Sequence, residues 1–103
     1  MADDTAKKQG VGRVSRYRDA VAPEGTALVY IPSLVAILIN KEEKKGSPLT
    51  REEVLYFRDN AAVLVIPQSA VGLAEQRRGY RDIDPSRCWE EWLEVREKRA
   101  ARG

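Results

Sequence analysis

The residues best suited to chemistry in this chain are carboxylates: Asp82, Asp84, Glu90 and Glu91 fall in one short stretch. Paired carboxylates suit a hard cation such as magnesium or calcium. Their spacing also has a plainer explanation. Asp84 stands directly before Pro85, where a helix N-cap belongs, and the two glutamates sit on the solvated side of the helix that follows. A calcium loop with its internal glycine and terminal glutamate is missing. Neither a metal nor a cofactor is expected. Gly10-Val11-Gly12, close to Arg13 and Arg16, could cradle a phosphate through backbone N–H groups. No strand is expected before it and no Gly-Lys-Ser/Thr follows, so it is neither a P-loop nor a dinucleotide fingerprint.

The chain contains no histidine. That removes the usual general base, the commonest metal ligand and the side chain that titrates near neutral pH. Ser-His-Asp triads, Cys-His pairs and His-containing zinc sites are excluded within it. Cys88 is the lone cysteine. Beside Trp89 it reads as a small buried hydrophobe rather than a nucleophile. No catalytic residue is assigned, and the chain is not expected to be an enzyme.

Two sets of side chains remain that could bind. Tyr80, Arg81, Trp89 and Trp92 form an aromatic group able to meet another protein. The spacing of the tryptophans equally lets them seal the last helix onto the core. Lys7, Lys8, Arg13, Arg16 and Arg18, with Tyr17 among them, make a basic arm that would take phosphates by counterion release. They face only Asp3 and Asp4, and the other end is also basic, with Arg96, Lys98, Arg99 and Arg102 against Glu97. Across the whole chain, 18 Lys and Arg against 16 Asp and Glu leave a net charge of +2. So small a charge gives no strong global pull towards nucleic acid or membrane.

These groups must be held by elements that the apolar pattern outlines. Ala27-Leu28-Val29-Tyr30-Ile31-Pro32 is echoed by Ala62-Val63-Leu64-Val65-Ile66-Pro67. Such runs favour strands, and the closing proline presets φ for a helical turn. The first strand should lead into a helix ending near Lys45, stopped by Gly46 in the left-handed cap conformation. Thr50 with Glu53 is a capping box that opens a second helix, and Leu49 with Val54 can staple it. After the second strand a helix should run to Gly79, and the last one starts at Asp84-Pro85 and decays beyond Ala100. The spacing of Val14, Tyr17 and Val21 predicts a short helix over Arg13 to Ala22. The expected architecture is α+β, helix-rich, in the order (α)-β-α-α-β-α-α. Its minimal sheet has two strands, parallel through a right-handed crossover. One domain spans residues 13–100, between a flexible basic arm at 1–12 and a tail at 101–103.

The strings Lys45-Gly-Ser-Pro-Leu-Thr-Arg-Glu-Glu-Val54, Arg58-Asp-Asn60 and Gly79-Tyr-Arg-Asp-Ile-Asp-Pro85, followed by Trp89 and Trp92, resemble those of small uncharacterised bacterial proteins. The likeness covers roughly residues 26 to 95 and implies no activity. The single cysteine gives no sign of an oxidising compartment, and the first 25 residues hold no apolar signal core. The longest apolar patch, Ala27 to Ile39, is broken by Pro32-Ser33 and falls short of the roughly 20 residues a bilayer span needs. The expectation is a non-catalytic cytoplasmic protein that binds another protein as an adaptor, inhibitor or immunity-type module. Self-association is left open. Nucleic-acid binding through the basic ends is the alternative.

Overall fold

Both proline-terminated apolar runs form strands, and they pair with one another. The computed structural model describes residues 10–102. It contains β1 (Val14–Arg16), β2 (Thr26–Tyr30), α1 (Leu34–Lys45), α2 (Arg51–Asn60), β3 (Ala62–Pro67), α3 (Val71–Arg78) and α4 (Cys88–Arg102). Single 3-10 turns stand at Tyr17–Asp19, Gln68–Ala70 and Pro85–Arg87. The result is an α+β arrangement in which a small sheet, ordered β1-β3-β2, is flanked by four helices. No helix among the described residues is long and apolar enough to cross a membrane.

The sheet corrects two expectations. It has three strands, and β2 and β3 run antiparallel, in a register that sets Leu28 opposite Val65 and Tyr30 opposite Val63. The reason is a count of traverses. A parallel neighbour needs the chain carried back once, by an odd number of helices. Here α1 and α2 form a hairpin around the tight turn at Gly46, so the chain comes back to the end where β2 finished.

The second correction lies at 13–22, where β1 and a 3-10 turn replace the expected helix. Val14 and Val21 are 62% and 74% exposed, so their spacing does not bury an apolar stripe. The free edge of β3 offered a hydrogen-bonding ladder instead. Val14 pairs with Leu64, and Tyr17 N–H donates to Ala61 O at 2.9 Å. Of the three, only Tyr17 turns inward, where its ring stacks on Tyr30 with centroids 5.5 Å apart.

Gly10-Val11-Gly12 sets up that ladder. Arg13 N–H closes a turn on Gly10 O, with Gly12 at φ +88°. Gly12 N–H then donates to Val65 O (2.8 Å) while Val65 N–H donates to Arg13 O (3.0 Å). Two residues opposing one, with glycine left-handed in the first place, is a β-bulge, and glycine takes that φ without steric cost. Residues 10–12, expected as part of the arm, therefore lead into the sheet. Residues 1–9, with Lys7 and Lys8, lie outside the described residues.

The helix boundaries follow local chemistry. Ser33 caps α1, and Gly46 ends it at φ 78°. Thr50 and Glu53 form the reciprocal capping box of α2, with the flanking Leu49 and Val54 both buried in the same cluster. Gly79 ends α3 at φ 82°. Asp84 caps the turn that feeds α4, which continues through Arg102 instead of decaying at Ala100. Thr50→Ala removes one acceptor for an orphan N–H, so urea unfolding should show a loss of about 1 kcal/mol. No measurable loss would mean that the box contributes nothing to the start of α2.

The core joins one face of the sheet to α1, α2 and α4. Tyr30, Leu34, Leu38, Leu49, Val54, Val63, Ile83, Cys88 and Trp92 form one buried cluster. Alternation puts Leu28, Tyr30, Val63 and Val65 on that side. Val14, Val29 and Leu64 make a cross-strand row on the other, half-buried or exposed.

Candidate functional site

Asp82 ties together the ends of four segments. Its Oδ2 accepts Leu34 N–H at 2.7 Å, and its Oδ1 accepts Val35 N–H at 2.9 Å. These are orphan donors in the first turn of α1, satisfied by a carboxylate 48 positions away in sequence. The same Oδ1 takes Ile83 N–H at 2.8 Å, and Arg78 Nη1 lies 3.5 Å from Oδ2. Arg78 also donates through Nη2 to the carbonyl of Tyr30. Beside this knot, Ser33 Oγ and Tyr80 Oη are 2.8 Å apart. Helix dipole and ion pair thus hold α1, α3 and the end of β2 at one point.

Asp84 and Glu91 are occupied as well. Asp84 accepts from Ser86 N–H (2.9 Å) and Oγ (2.7 Å), and these bonds hold its carboxyl below the ordinary carboxylate range. Glu91 accepts Asp84 N–H at 2.9 Å and stands 3.7 Å from Arg81, while Glu90 is exposed. The four carboxylates do not converge, and no cluster able to hold a metal occurs among the described residues. Cys88 is 2% exposed, and burial pushes its thiol up to about 11. At neutral pH it is protonated and out of reach.

The expected aromatic surface divides. Trp92 is 0% exposed, so it belongs to the core and is withdrawn from any partner. Trp89 is half-buried. Arg96 lies 5.8 Å from the centroids of both indole rings and donates to Glu42 Oε2 (3.1 Å) and Leu49 O (2.7 Å). The tryptophans and Arg96 therefore fasten α4 to the α1–α2 hairpin. Tyr80, 45% exposed, and Arg81 remain on the surface.

Of the basic residues, Arg13, Arg16 and Arg18 lie at the β1 edge of the sheet, the edge away from β2. Arg16 pairs with Asp19 at 3.3 Å. Arg13 and Arg18 are exposed, just before β1 and in the turn after it. Among the described residues, neither Arg13, Arg16 and Arg18 nor the aromatic set gathers at a single site.

Residue patterns alone did not reveal the cleft beside β2. It measures about 210 Å³ and runs between the strand, through Leu28, Val29 and Tyr30, and α3, through Val71, Ala74, Glu75 and Arg78. The 81–85 segment closes one end, with Arg81 at the rim. The four α3 residues lie on one helical face, spaced i, i+3, i+4 and i+7. That spacing was a legible signal, but a weakly apolar eight-residue helix conceals it. A second hollow, under Tyr56 and Phe57, is lined by Ile37, Lys41 and Asn60. It carries no ionisable group besides Lys41 and the Tyr56 phenol, and Lys41 sits over the Phe57 ring at 5.4 Å. No family model, curated protein or solved structure matches the chain, and the site is read from its own geometry.

Proposed function

We propose that this chain is a non-catalytic module that binds another protein, in the manner of an adaptor, inhibitor or immunity-type protein. The observation that carries the reading is the contrast between spent chemistry and unspent surface. Asp82, Asp84 and Glu91 each serve as caps or ion-pair partners inside the fold, and Cys88 is sealed. By contrast, Tyr80, next in sequence to the cleft-lining Arg81, is 45% exposed, and Leu73 and Ile31, which do not line the cleft, are 51% and 49% exposed. Large apolar side chains left on a surface that also carries a concave site favour a protein partner. A cytoplasmic setting belongs to the same proposal and rests on the single cysteine.

The test is affinity capture on immobilised chain at low and raised salt, with and without nuclease. The expected result is a protein retained in stoichiometric amount, only weakly sensitive to salt, and reduced when Tyr80→Ala and Arg81→Ser are combined. Apolar burial is poorly screened, whereas phosphate contacts weaken steeply with salt. Recovery of nucleic acid alone, lost with salt and with Arg13→Ser plus Arg18→Ser, would replace this reading by the nucleic-acid alternative.

A further inference from the structure

The cleft lies along a free sheet edge. β3 is central, so among the described residues β2 has a neighbour on one side only. Ile31 N–H donates to Ala62 O (3.1 Å) and Gln68 N–H to Gly25 O (2.9 Å). In this register Ala27, Val29 and Ile31 point their backbone groups at β3, while Thr26, Leu28 and Tyr30 turn theirs outward. Two of the outward groups are used locally: Thr26 N–H donates to Pro23 O at 3.0 Å, and Tyr30 O accepts from Arg78. Thr26 C=O, Leu28 N–H, Leu28 C=O and Tyr30 N–H have no protein partner among the described residues. A residue that offers both its N–H and its C=O is the unit with which an antiparallel strand is added.

From this geometry we infer that the cleft receives a single extended peptide segment, added as a strand to the edge of β2. The inference rests on the protein-binding reading above and names its partner class. At about 210 Å³ the cleft is smaller than the ~300–1,000 Å³ usual for cofactors and drug-sized ligands. It suits one or two side chains of a strand whose backbone bonds to Leu28 and Tyr30. Val71 and Ala74 supply an apolar wall. Such strand addition takes affinity from main-chain bonds and specificity from the wall opposite. Charge defines the segment further. Arg78 and Asp82 neutralise each other, and Glu75 lines the cleft with no ion pair among the described residues. The segment therefore carries a small apolar residue and a nearby Lys or Arg.

The probe is a set of short linear peptides selected from a random display library against the full chain, then synthesised with single backbone N-methyl groups. Strand addition predicts basic, apolar sequences whose affinity falls about tenfold or more when alternate positions are N-methylated, and little at the positions between. In amide NMR spectra the Leu28 and Tyr30 resonances should shift on binding. Ala74→Trp, which fills the cleft, should abolish binding, and Glu75→Gln should weaken it with unchanged melting. No alternation, or no shift at Leu28 and Tyr30, would overturn the inference, as would concentration-dependent dimers lost in Ala74→Trp. A folded protein whose capture survives Ala74→Trp would also overturn it while leaving the broader binding role intact. Loss of all protein capture, with nucleic acid retained, would remove both.

Discussion

Trp92→Ala is expected to leave the chain largely unfolded at room temperature. Trp92 is 0% exposed and sits in the cluster shared by Leu34, Leu38, Val54 and Cys88. Truncating a buried aromatic to alanine costs about 3–5 kcal/mol, from lost transfer energy and the cavity left behind. Domains of this size hold only about 5–15 kcal/mol in total. The loss also reaches Arg96, which would no longer stack between two rings. Trp92→Phe should be far milder, at about 1–2 kcal/mol. Trp92 Nε1 is buried without a hydrogen-bond partner, so phenylalanine removes an unsatisfied donor along with part of the volume. Circular dichroism during urea unfolding measures both. Equal stability of Trp92→Ala and the native chain would show that α4 does not depend on this ring.

What the residue pattern reveals is what acts over one or two turns. The Thr50–Glu53 box, the left-handed glycines at 46 and 79 and the Asp84-Pro85 start were all legible. Each is decided by neighbours within four positions. Strand direction was not legible in the same way, because it depends on how many times helices carry the chain across the sheet. β1 was hidden for another reason. A three-residue edge strand is held by β3 some fifty positions on, through a bulge at Gly12 whose sequence also suits a loose turn or a phosphate cradle. Among the candidate site residues, the buried fate of Trp92 was one of two readings its spacing allowed. The cleft was not visible, because it is a gap between a strand edge and a helix, and no residue type marks a gap.

Asp82 shows the same limit most sharply, and its removal should have the second large effect. In sequence it belongs to an acidic stretch with Asp84, and nothing local separates the two. In the fold, Asp84 caps a 3-10 turn two residues away, whereas Asp82 caps α1 from a distance of 48 positions. Asp82→Ala strands the N–H groups of Leu34, Val35 and Ile83 together and leaves Arg78 without its carboxylate. An N-cap alone is worth about 0.5–2 kcal/mol, and hydrogen bonds to a charged group about 1.5–3, so a loss of about 2–3 kcal/mol is expected. Asp82→Asn keeps an acceptor for one helix N–H but not the charge that answers the dipole and Arg78, and should fall between. Asp84→Ala, at an exposed turn, should cost about 1 kcal/mol or less. The order matters more than the sizes. Asp82→Ala also frees Arg78, whose other bond holds the Tyr30 carbonyl at the closed end of the cleft. Exchange of the Leu34 and Val35 amides should therefore speed up more in Asp82→Ala than in Asp84→Ala, measured by hydrogen-exchange NMR. If the two variants were equally stable, with equal protection of those amides, Asp82 would be no more than another surface carboxylate and the closed end of the cleft would need a different anchor.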